Sequence, residues 1–241
     1  MTSAPSDADS HPRFYGRRHG HRLRSGRRRL LDTLLPRLRS SCPGDARLDP
    51  ASLFSHRVTE VWLEVGFGGG EHLAAQARLH PEVGLIGCEP FVNGVARLLS
   101  MVERDRLTNL RIFDDDARLL LDRLIDGGIG RVFALFSDPW PKKRHHKRRF
   151  MGDETLKSLA RVMRDGGVLR FASDDMGYVN WTLEHVHRSP DFVWTATCAD
   201  DWRRRPLDWV ETRYEAKARS AGRSCVYLDF RRRARDRGNP I

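Results

Sequence analysis

Cysteine is scarce in this 241-residue chain, which has four cysteines and no pair at the C-x-x-C spacing. Structural zinc sites and disulfide frameworks are built from clustered cysteines, so we predict neither, and we expect no metal site. Long apolar runs are also missing: no stretch approaches the roughly 20 residues of a membrane-spanning helix, and no apolar signal segment follows Met1. We therefore expect a cytoplasmic protein that does not associate with membranes.

Acidic residues are outnumbered, with 32 Asp and Glu against 43 Lys and Arg, which gives a net charge of +11. Such an excess favours a polyanionic partner, and without a membrane segment nucleic acid is the better candidate. Residues 13–29 contain eight arginines and no acid. We interpret this stretch as an arm rather than a folded element, either a solvated tail or a contact with RNA. The predicted organisation is a basic, partly disordered arm and linker over residues 1–50 and one domain over residues 51–241.

Apolar, β-branched segments alternate with helical patterns from Val61 onwards. This alternation predicts an α/β fold with a mostly parallel sheet and helices on both faces. One predicted helix runs from Glu154 to a C-cap at Gly166. The seven predicted strands cover residues 61–66, 83–89, 110–116, 131–138, 167–174, 191–198 and 224–230.

A glycine-rich turn, Gly66-x-Gly68-x-Gly70, follows the first predicted strand and precedes a helix. Glycines let the backbone turn sharply and approach a ligand closely, although an ordinary strand-to-helix turn has the same look. Two acids strengthen the ligand interpretation: Glu64 lies just before the glycines, and Glu89 ends the second strand, where an acid can accept both hydroxyls of a ribose. The spacing differs from the G-x-G-x-x-G of dinucleotide binders. Glu64 would repel a pyrophosphate but suits a cationic ligand, so we predict S-adenosylmethionine rather than NAD.

Further acids stand at the ends of later strands. Ligands of doubly wound sheets bind outside the carboxyl ends of the strands, so Asp138, at the end of the fourth strand, should lie in the same crevice as Glu64 and Glu89. Asp174, at the end of the fifth strand, should lie next to this crevice. After the third strand, Asp116 is the favoured partner for an adenine amino group, and it is also a candidate helix N-cap. The choice among Asp114, Asp115 and Asp116 is open on sequence grounds.

Directly after Asp138 come two prolines around Trp140 and then the run KKRHHKRR, residues 142–149. Such a run is often only a solvated face or a targeting signal. Its position beside a candidate catalytic acid favours a clamp that grips phosphates without identifying bases.

These motifs together resemble one family. The segments LEVGFGGG, GCEP, DDDARLLL, SDPWPKKRHHKRR, FASDDMGY and TRYE follow the order found in the bacterial tRNA (guanine-N7)-methyltransferases, over nearly the whole chain. Ser137 and Ser173 are mild departures, at positions where the family often has proline and threonine.

The resemblance implies a Rossmann-like class I fold with seven strands, S-adenosylmethionine as cofactor, and methylation of guanine 46 in the variable loop of tRNA at N7. It makes Asp138 the catalytic residue. The cofactor residues that it implies are Glu64, Gly66, Gly68, Glu89, Asp116 and Asp138. Those implied for the target nucleotide are Lys142, Asp174, Thr212, Arg213, Tyr214 and Glu215. Those implied for the rest of the RNA are Arg144, His145, His146, Lys147, Arg148 and Arg149.

Guanine N7 carries an in-plane lone pair and no proton, so methyl transfer needs no strong base. Asp138 should therefore act by position and charge rather than as a proton acceptor. Two alternatives stay open: an S-adenosylmethionine enzyme acting on another RNA base, and a non-catalytic RNA-binding protein. We expect a monomer or a weak homodimer.

Overall fold

The computed structural model describes residues 16–40 and 46–236. The predicted disorder of residues 1–12 and the first residues of the basic arm lie outside this part of the chain. No helix in the described ranges is long and apolar enough to cross a bilayer.

The strands follow the predicted order along the chain. They are β1 (Val61–Val65), β2 (Gly84–Cys88), β3 (Leu110–Phe113), β4 (Ile129–Leu135), β5 (Met163–Ser173), β6 (Phe192–Trp194) and β7 (Val226–Arg232). The α-helices are α1 (Ser25–Thr33), α2 (Leu35–Leu38), α3 (Glu71–Leu79), α4 (Val92–Asp105), α5 (Ala117–Arg123), α6 (Asp153–Val162), α7 (Met176–Arg188), α8 (Asp200–Arg203) and α9 (Arg213–Ser220). Two 3-10 helices span Pro50–Leu53 and Lys143–Arg148.

All seven strands form one sheet in the order β3-β2-β1-β4-β5-β7-β6. The first five pair in parallel, and β7 runs antiparallel to both β5 and β6. The prediction of a mostly parallel, seven-stranded sheet is confirmed. This topology brings the carboxyl ends of β1, β2, β3 and β4 to one edge of the sheet, which is where the predicted acids lie.

Apolar layers cover both faces of the sheet, as a parallel sheet requires. Side chains alternate along β1, so that Val61, Leu63 and Val65 belong to one core cluster and Trp62 to the other. Helices α5, α6 and α7 supply the first layer, and α1 to α4 supply the second. Because both faces are buried, the strands appear in the sequence as continuous apolar runs.

The basic arm is folded from Ser25 onwards, so the prediction that residues 13–29 lack a folded element is wrong for that part. Helix α1 packs against α4, and Arg29 donates to Glu103 at 2.6 Å. Leu30, next to the arginines, is buried at 3% exposure. Only a few apolar side chains on α1 and α2 reach the core, and arginines occupy the solvent-facing positions. The amphipathic pattern of this segment is therefore weak in the sequence.

The predicted helix end at Gly166 is also wrong. Helix α6 ends at Val162, and Met163 is extended and pairs with Ile129 of β4. Gly166, with φ +75°, instead lies in an irregular part of β5, where its left-handed backbone suits glycine. Pairing to the neighbouring strand therefore overrides the local helical pattern.

Candidate active site

A cavity of about 330 Å³ opens at the carboxyl ends of the strands, within the size range of small-molecule sites. It collects most of the predicted cofactor residues on one surface. Those that line it are Gly66, Gly68, Glu89, Asp116 and Asp138, together with Tyr214 and Arg148 from the predicted RNA and nucleotide sets.

The glycine turn forms the floor of the cavity in a backbone conformation that favours glycine. Gly66, Gly68 and Gly70 have φ angles of +68°, +56° and +79°, a region that other residues enter at a cost. A Cβ on Gly68 would lie 2.8 Å from the ring of Tyr214. On the other side, Gly94 of α4 approaches so closely that its Cβ would lie 2.1 Å from the Gly68 carbonyl oxygen. The turn is therefore fixed between α4 and Tyr214 at the start of α9.

Glu89 follows β2 and faces the cavity from beside the turn. Its carboxylate accepts from the backbone N–H of Gly68 at 2.7 Å and of Phe91 at 2.9 Å. Burial, with smaller contributions from the nearby carboxylates of Asp138 and Glu64, raises the pKa of Glu89 to about 7 against the opposing effect of the two backbone hydrogen bonds. Glu89 thus changes charge close to neutral pH.

Glu64 is not among the residues that line the cavity, and its predicted contact with the cofactor stays a prediction. Its side chain is 3% exposed and lies 2.7 Å from Nδ1 of His72, on the first turn of α3. The His72 ring in turn packs edge-on against Phe133 of β4. In this structure the Glu64 carboxylate therefore has a buried partner, His72 of α3.

The three acids after β3 have different positions. Asp116 caps α5, accepting from the backbone N–H of Arg118 at 3.0 Å and from its guanidinium at 2.9 Å. Asp115 accepts from the Asp116 N–H at 2.8 Å and lines the cavity as well. Asp114 pairs with Arg39 at 2.7 Å outside the cavity lining. The choice among the three is thereby narrowed to Asp116 and Asp115.

Asp138 lies in a strained loop at the cavity mouth. Phe136, two residues before it, has φ +52°, and Trp140, two residues after it, has φ +43°. A residue other than glycine held in such a region costs about 1–3 kcal/mol, and such residues cluster at functional sites. Burial raises the pKa of Asp138, and its side chain lines the cavity. Its carboxylate is therefore available to a ligand.

The basic run continues from this loop as the 3-10 helix Lys143–Arg148. Lys142, Arg144 and Lys147 are exposed, while Arg148 lies over the Trp140 ring with 4.9 Å between its guanidinium carbon and the ring centre. The pKa of His145 is lowered, mainly by partial desolvation and to a smaller extent by the neighbouring cations. A cationic rim therefore adjoins the acidic cavity.

Arg149 does not fit the predicted contact with RNA. It is buried at 6% exposure, and Nε donates to the Pro139 carbonyl at 2.8 Å. Its outer nitrogen Nη1 donates to the Gly177 carbonyl at 3.3 Å. A guanidinium held in this way faces the protein rather than solvent.

The loop before α9 borders the cavity from the side of β5 and β7. Thr212 caps α9 by accepting from the Glu215 N–H at 3.1 Å, and the guanidinium of Arg213 lies over the Tyr214 ring at 5.5 Å. Glu215 is fully buried, and its predicted contact with the nucleotide stays a prediction. Its carboxylate accepts from Trp209, Tyr227 and Arg205 and so fixes the loop.

Asp174 lies outside the cavity lining and pairs with Arg223 at 2.6 Å.

Sequence reasoning missed one wall of the cavity. Gly16 and Arg17, from the basic arm, line it. The segment is tied down by the Arg18 carbonyl, which accepts from Val92 N at 2.9 Å, and by the Arg18–Asp115 ion pair at 2.7 Å. Gly20 N also donates to Asn93 at 2.8 Å. All of these partners are distant in sequence, so the arm itself carries no local pattern that could have indicated this position.

Comparisons with known proteins agree on one family. Residues 58–228 match the family model described as "Putative methyltransferase". The chain is 55% identical to a tRNA (guanine-N(7)-)-methyltransferase of Rhodospirillum rubrum over 96% of this chain and 92% of that protein. It is 51% identical to the protein of the same name from Chelativorans sp., over 92% of this chain and 98% of that one.

Solved structures support the fold. The crystal structure of the 16S rRNA methyltransferase KamB superposes with a TM-score of 0.51 at 16% identity, covering 77% of this chain and 91% of that one. The antibiotic-resistance methyltransferase Kmr gives a TM-score of 0.51 at 15% identity, covering 74% and 89%. At such identities the likeness concerns the fold alone, and it confirms the predicted class I methyltransferase architecture.

Proposed function

Because this chain belongs to the tRNA (guanine-N(7)-)-methyltransferase family, we propose that it transfers a methyl group from S-adenosylmethionine to N7 of guanine 46 in the variable loop of tRNA. The product is 7-methylguanosine. The observation that carries the proposal is the meeting of Glu89, Asp116 and Asp138, which follow β2, β3 and β4, in one cavity beside the glycine turn. Position 46 follows from the family resemblance.

The cavity suits S-adenosylmethionine because the carboxylates of Glu89 and Asp138 line it and would face a cationic ligand. Carboxylates stabilise a sulfonium, and they would repel a pyrophosphate. Glu89 would accept from the ribose hydroxyls, and Asp116 or Asp115 from the adenine amino group. Gly66 and Gly68 leave room for close approach of the ligand. When bound, S-adenosylmethionine supplies an electrophilic methyl group.

Asp138 contributes to the reaction through charge. Guanine N7 attacks with its own lone pair, and positive charge develops on the imidazole part of the base as the bond forms. A fixed carboxylate beside that ring stabilises the charge without reorganising. Holding the two reactants in line supplies up to about 7–11 kcal/mol of the barrier reduction, which makes the placement of the Asp138 loop as important as its charge.

The rim presents the RNA to the cavity. Arg144 and Lys147 are exposed and would contact phosphates, with His145 and His146 in the same 3-10 helix. Phosphate contacts fix register without identifying sequence. Tyr214 lines the cavity, and together with Lys142, Asp174, Thr212, Arg213 and Glu215 it would hold the target nucleotide. A cytoplasmic location and a monomeric or weakly dimeric state remain predictions.

The deciding experiment uses the purified protein with S-adenosylmethionine and unmodified bulk tRNA, followed by mass spectrometry of the nucleosides and mapping of the modified position. We expect 7-methylguanosine at position 46. Another methylated nucleoside would indicate a methyltransferase with a different target. No methylation, with no cofactor binding by calorimetry, would indicate a non-catalytic RNA-binding protein.

A further inference from the structure

Arg149 differs from the other cations of the basic run in what it contacts. The guanidinium bridges two backbone carbonyls, donating from Nε to Pro139 at 2.8 Å and from Nη1 to Gly177 at 3.3 Å. Pro139 directly follows Asp138, and Gly177 is the second residue of α7. One buried side chain therefore ties the loop of the catalytic carboxylate to a core helix.

Two aromatic residues of α7 pack against this guanidinium. The guanidinium carbon lies 5.2 Å from the ring centres of both Tyr178 and Trp181. The Tyr178 hydroxyl accepts from Met151 N at 3.1 Å, and the Trp181 indole N–H donates to the Met151 carbonyl. The segment that leaves Arg149 is thus tied to the same two aromatic residues. Burying a guanidinium is costly unless it is hydrogen-bonded, and both of the recorded bonds go to protein carbonyls.

The loop needs such a tie. Phe136 and Trp140, which flank Asp138, both have positive φ, and strained residues persist only where the surroundings hold them. Before the loop, Phe136 N donates to the Ala172 carbonyl at 2.7 Å. Inside the loop, Pro139 has no N–H, so its carbonyl is the backbone group that can be held, and Arg149 holds it.

We propose that Arg149 is a positioning residue that fixes Asp138 for methyl transfer and does not contact RNA. The inference rests on the proposed function. It separates one arginine of the KKRHHKRR run from its neighbours by role: the exposed members grip phosphates, while Arg149 sets the geometry of the carboxylate.

The test is Arg149→Lys, which keeps the positive charge but cannot bridge both carbonyls with one ammonium group. A phosphate contact survives this change in large part, because lysine also binds phosphate. We expect kcat at saturating tRNA and cofactor to fall by about tenfold or more, while the tRNA Kd and its salt dependence stay as in the unchanged protein. Arg188→Lys is the matched control, since Arg188 is exposed on α7 and pairs with Glu184. We expect it to leave kcat and Kd unaltered.

Two results would overturn the proposal. One is an unchanged kcat in Arg149→Lys. The other is a weaker tRNA Kd with a salt slope reduced by about one, which would identify a phosphate contact. If Arg149→Lys loses its cooperative melting transition, Trp181→Leu decides instead: it removes a ring from beneath the guanidinium, so kcat should fall with an unaltered salt slope, and a full kcat refutes the role. Failure of the proposed function is distinguishable, because the unchanged protein would then form no 7-methylguanosine.

Discussion

Asp138 combines a raised pKa with a carboxylate that the described residues leave open to a ligand. Such a carboxylate can stabilise positive charge that develops beside it during the reaction. The sequence predicted it because an acid at a strand end, followed by Pro-Trp-Pro, stands out from an ordinary turn. The two positive φ angles around it could not be predicted, since they arise from how the loop is held.

Asp138→Asn should lower the rate of methyl transfer by about 10²-fold or more, because a neutral amide no longer stabilises the developing cation. Binding of S-adenosylmethionine should stay within about tenfold of the unchanged protein, since Glu89 and Asp116 keep their places. Single-turnover methylation gives the rate and calorimetry the affinity. Full activity in this variant would remove Asp138 from the mechanism.

Glu89 should make stability depend on pH. The unfolded chain loses this proton near pH 4.5 and the folded chain near pH 7, so between these values the folded state holds the extra proton and its stability falls as pH rises. Glu89→Gln lacks this dependence. We expect the unfolding free energy of the unchanged protein, relative to Glu89→Gln, to drop by about 3 kcal/mol from pH 4 to pH 8.

Urea denaturation of both proteins across that pH range measures the difference. A constant difference would show that Glu89 ionises at the same pH in both states. The burial of Glu64, Arg149 and Glu215 could not be predicted from the sequence, because each is buried by partners that lie on another element. Residue type indicated the neighbourhood but not the direction of the side chain.

Among the elements, the 3-10 helix Lys143–Arg148 should control the salt response of RNA binding. Each phosphate that a side chain neutralises releases counterions, so affinity falls steeply with ionic strength. Arg144→Gln should weaken tRNA binding and reduce the slope of log Kd against log salt by about one. Arg188→Gln, at an exposed position on α7, serves as the control. A flat salt response in the unchanged protein would contradict the clamp.

Helix α1 gives the second test at this scale. Leu30→Ala should lower the unfolding free energy by about 2–5 kcal/mol, because it leaves a cavity where α1 packs on α4. Leu79→Ala, in a residue 63% exposed at the end of α3, should change it by no more than about 0.5 kcal/mol. Denaturant titration of both variants makes the comparison. Equal effects would mean that α1 contributes nothing to the fold.

The elements that sequence predicted well are those with strong periodic patterns. Strands β1, β2 and β4 are buried on both faces, so their apolar runs were unmistakable. The first half of helix α1 was missed because its arginines outnumber the apolar residues that the helix buries. The end of α6 was misplaced because pairing with β4, a tertiary contact, decided it.

At the scale of the molecule, the cavity is built from distant parts of the chain: Arg17 lies on one wall and Tyr214 on another. The strand-end rule for doubly wound sheets predicted the acidic side, since it depends only on topology. The rule could not predict that Arg17 of the arm and Tyr214 line the cavity, because contacts so far apart in sequence leave no local pattern.

The sheet order has one more consequence, for how the protein is made. Strand β7 lies between β5 and β6, and β6 pairs with β7 alone among the described strands. On the ribosome, β6 therefore emerges before the strand that must join it to the sheet. The edge of β5 that β7 will occupy stays open until residues 226–232 leave the exit tunnel. Until then the nascent chain has an unpaired strand edge of the kind that promotes aggregation. Pairing of β7 with β5 closes this edge.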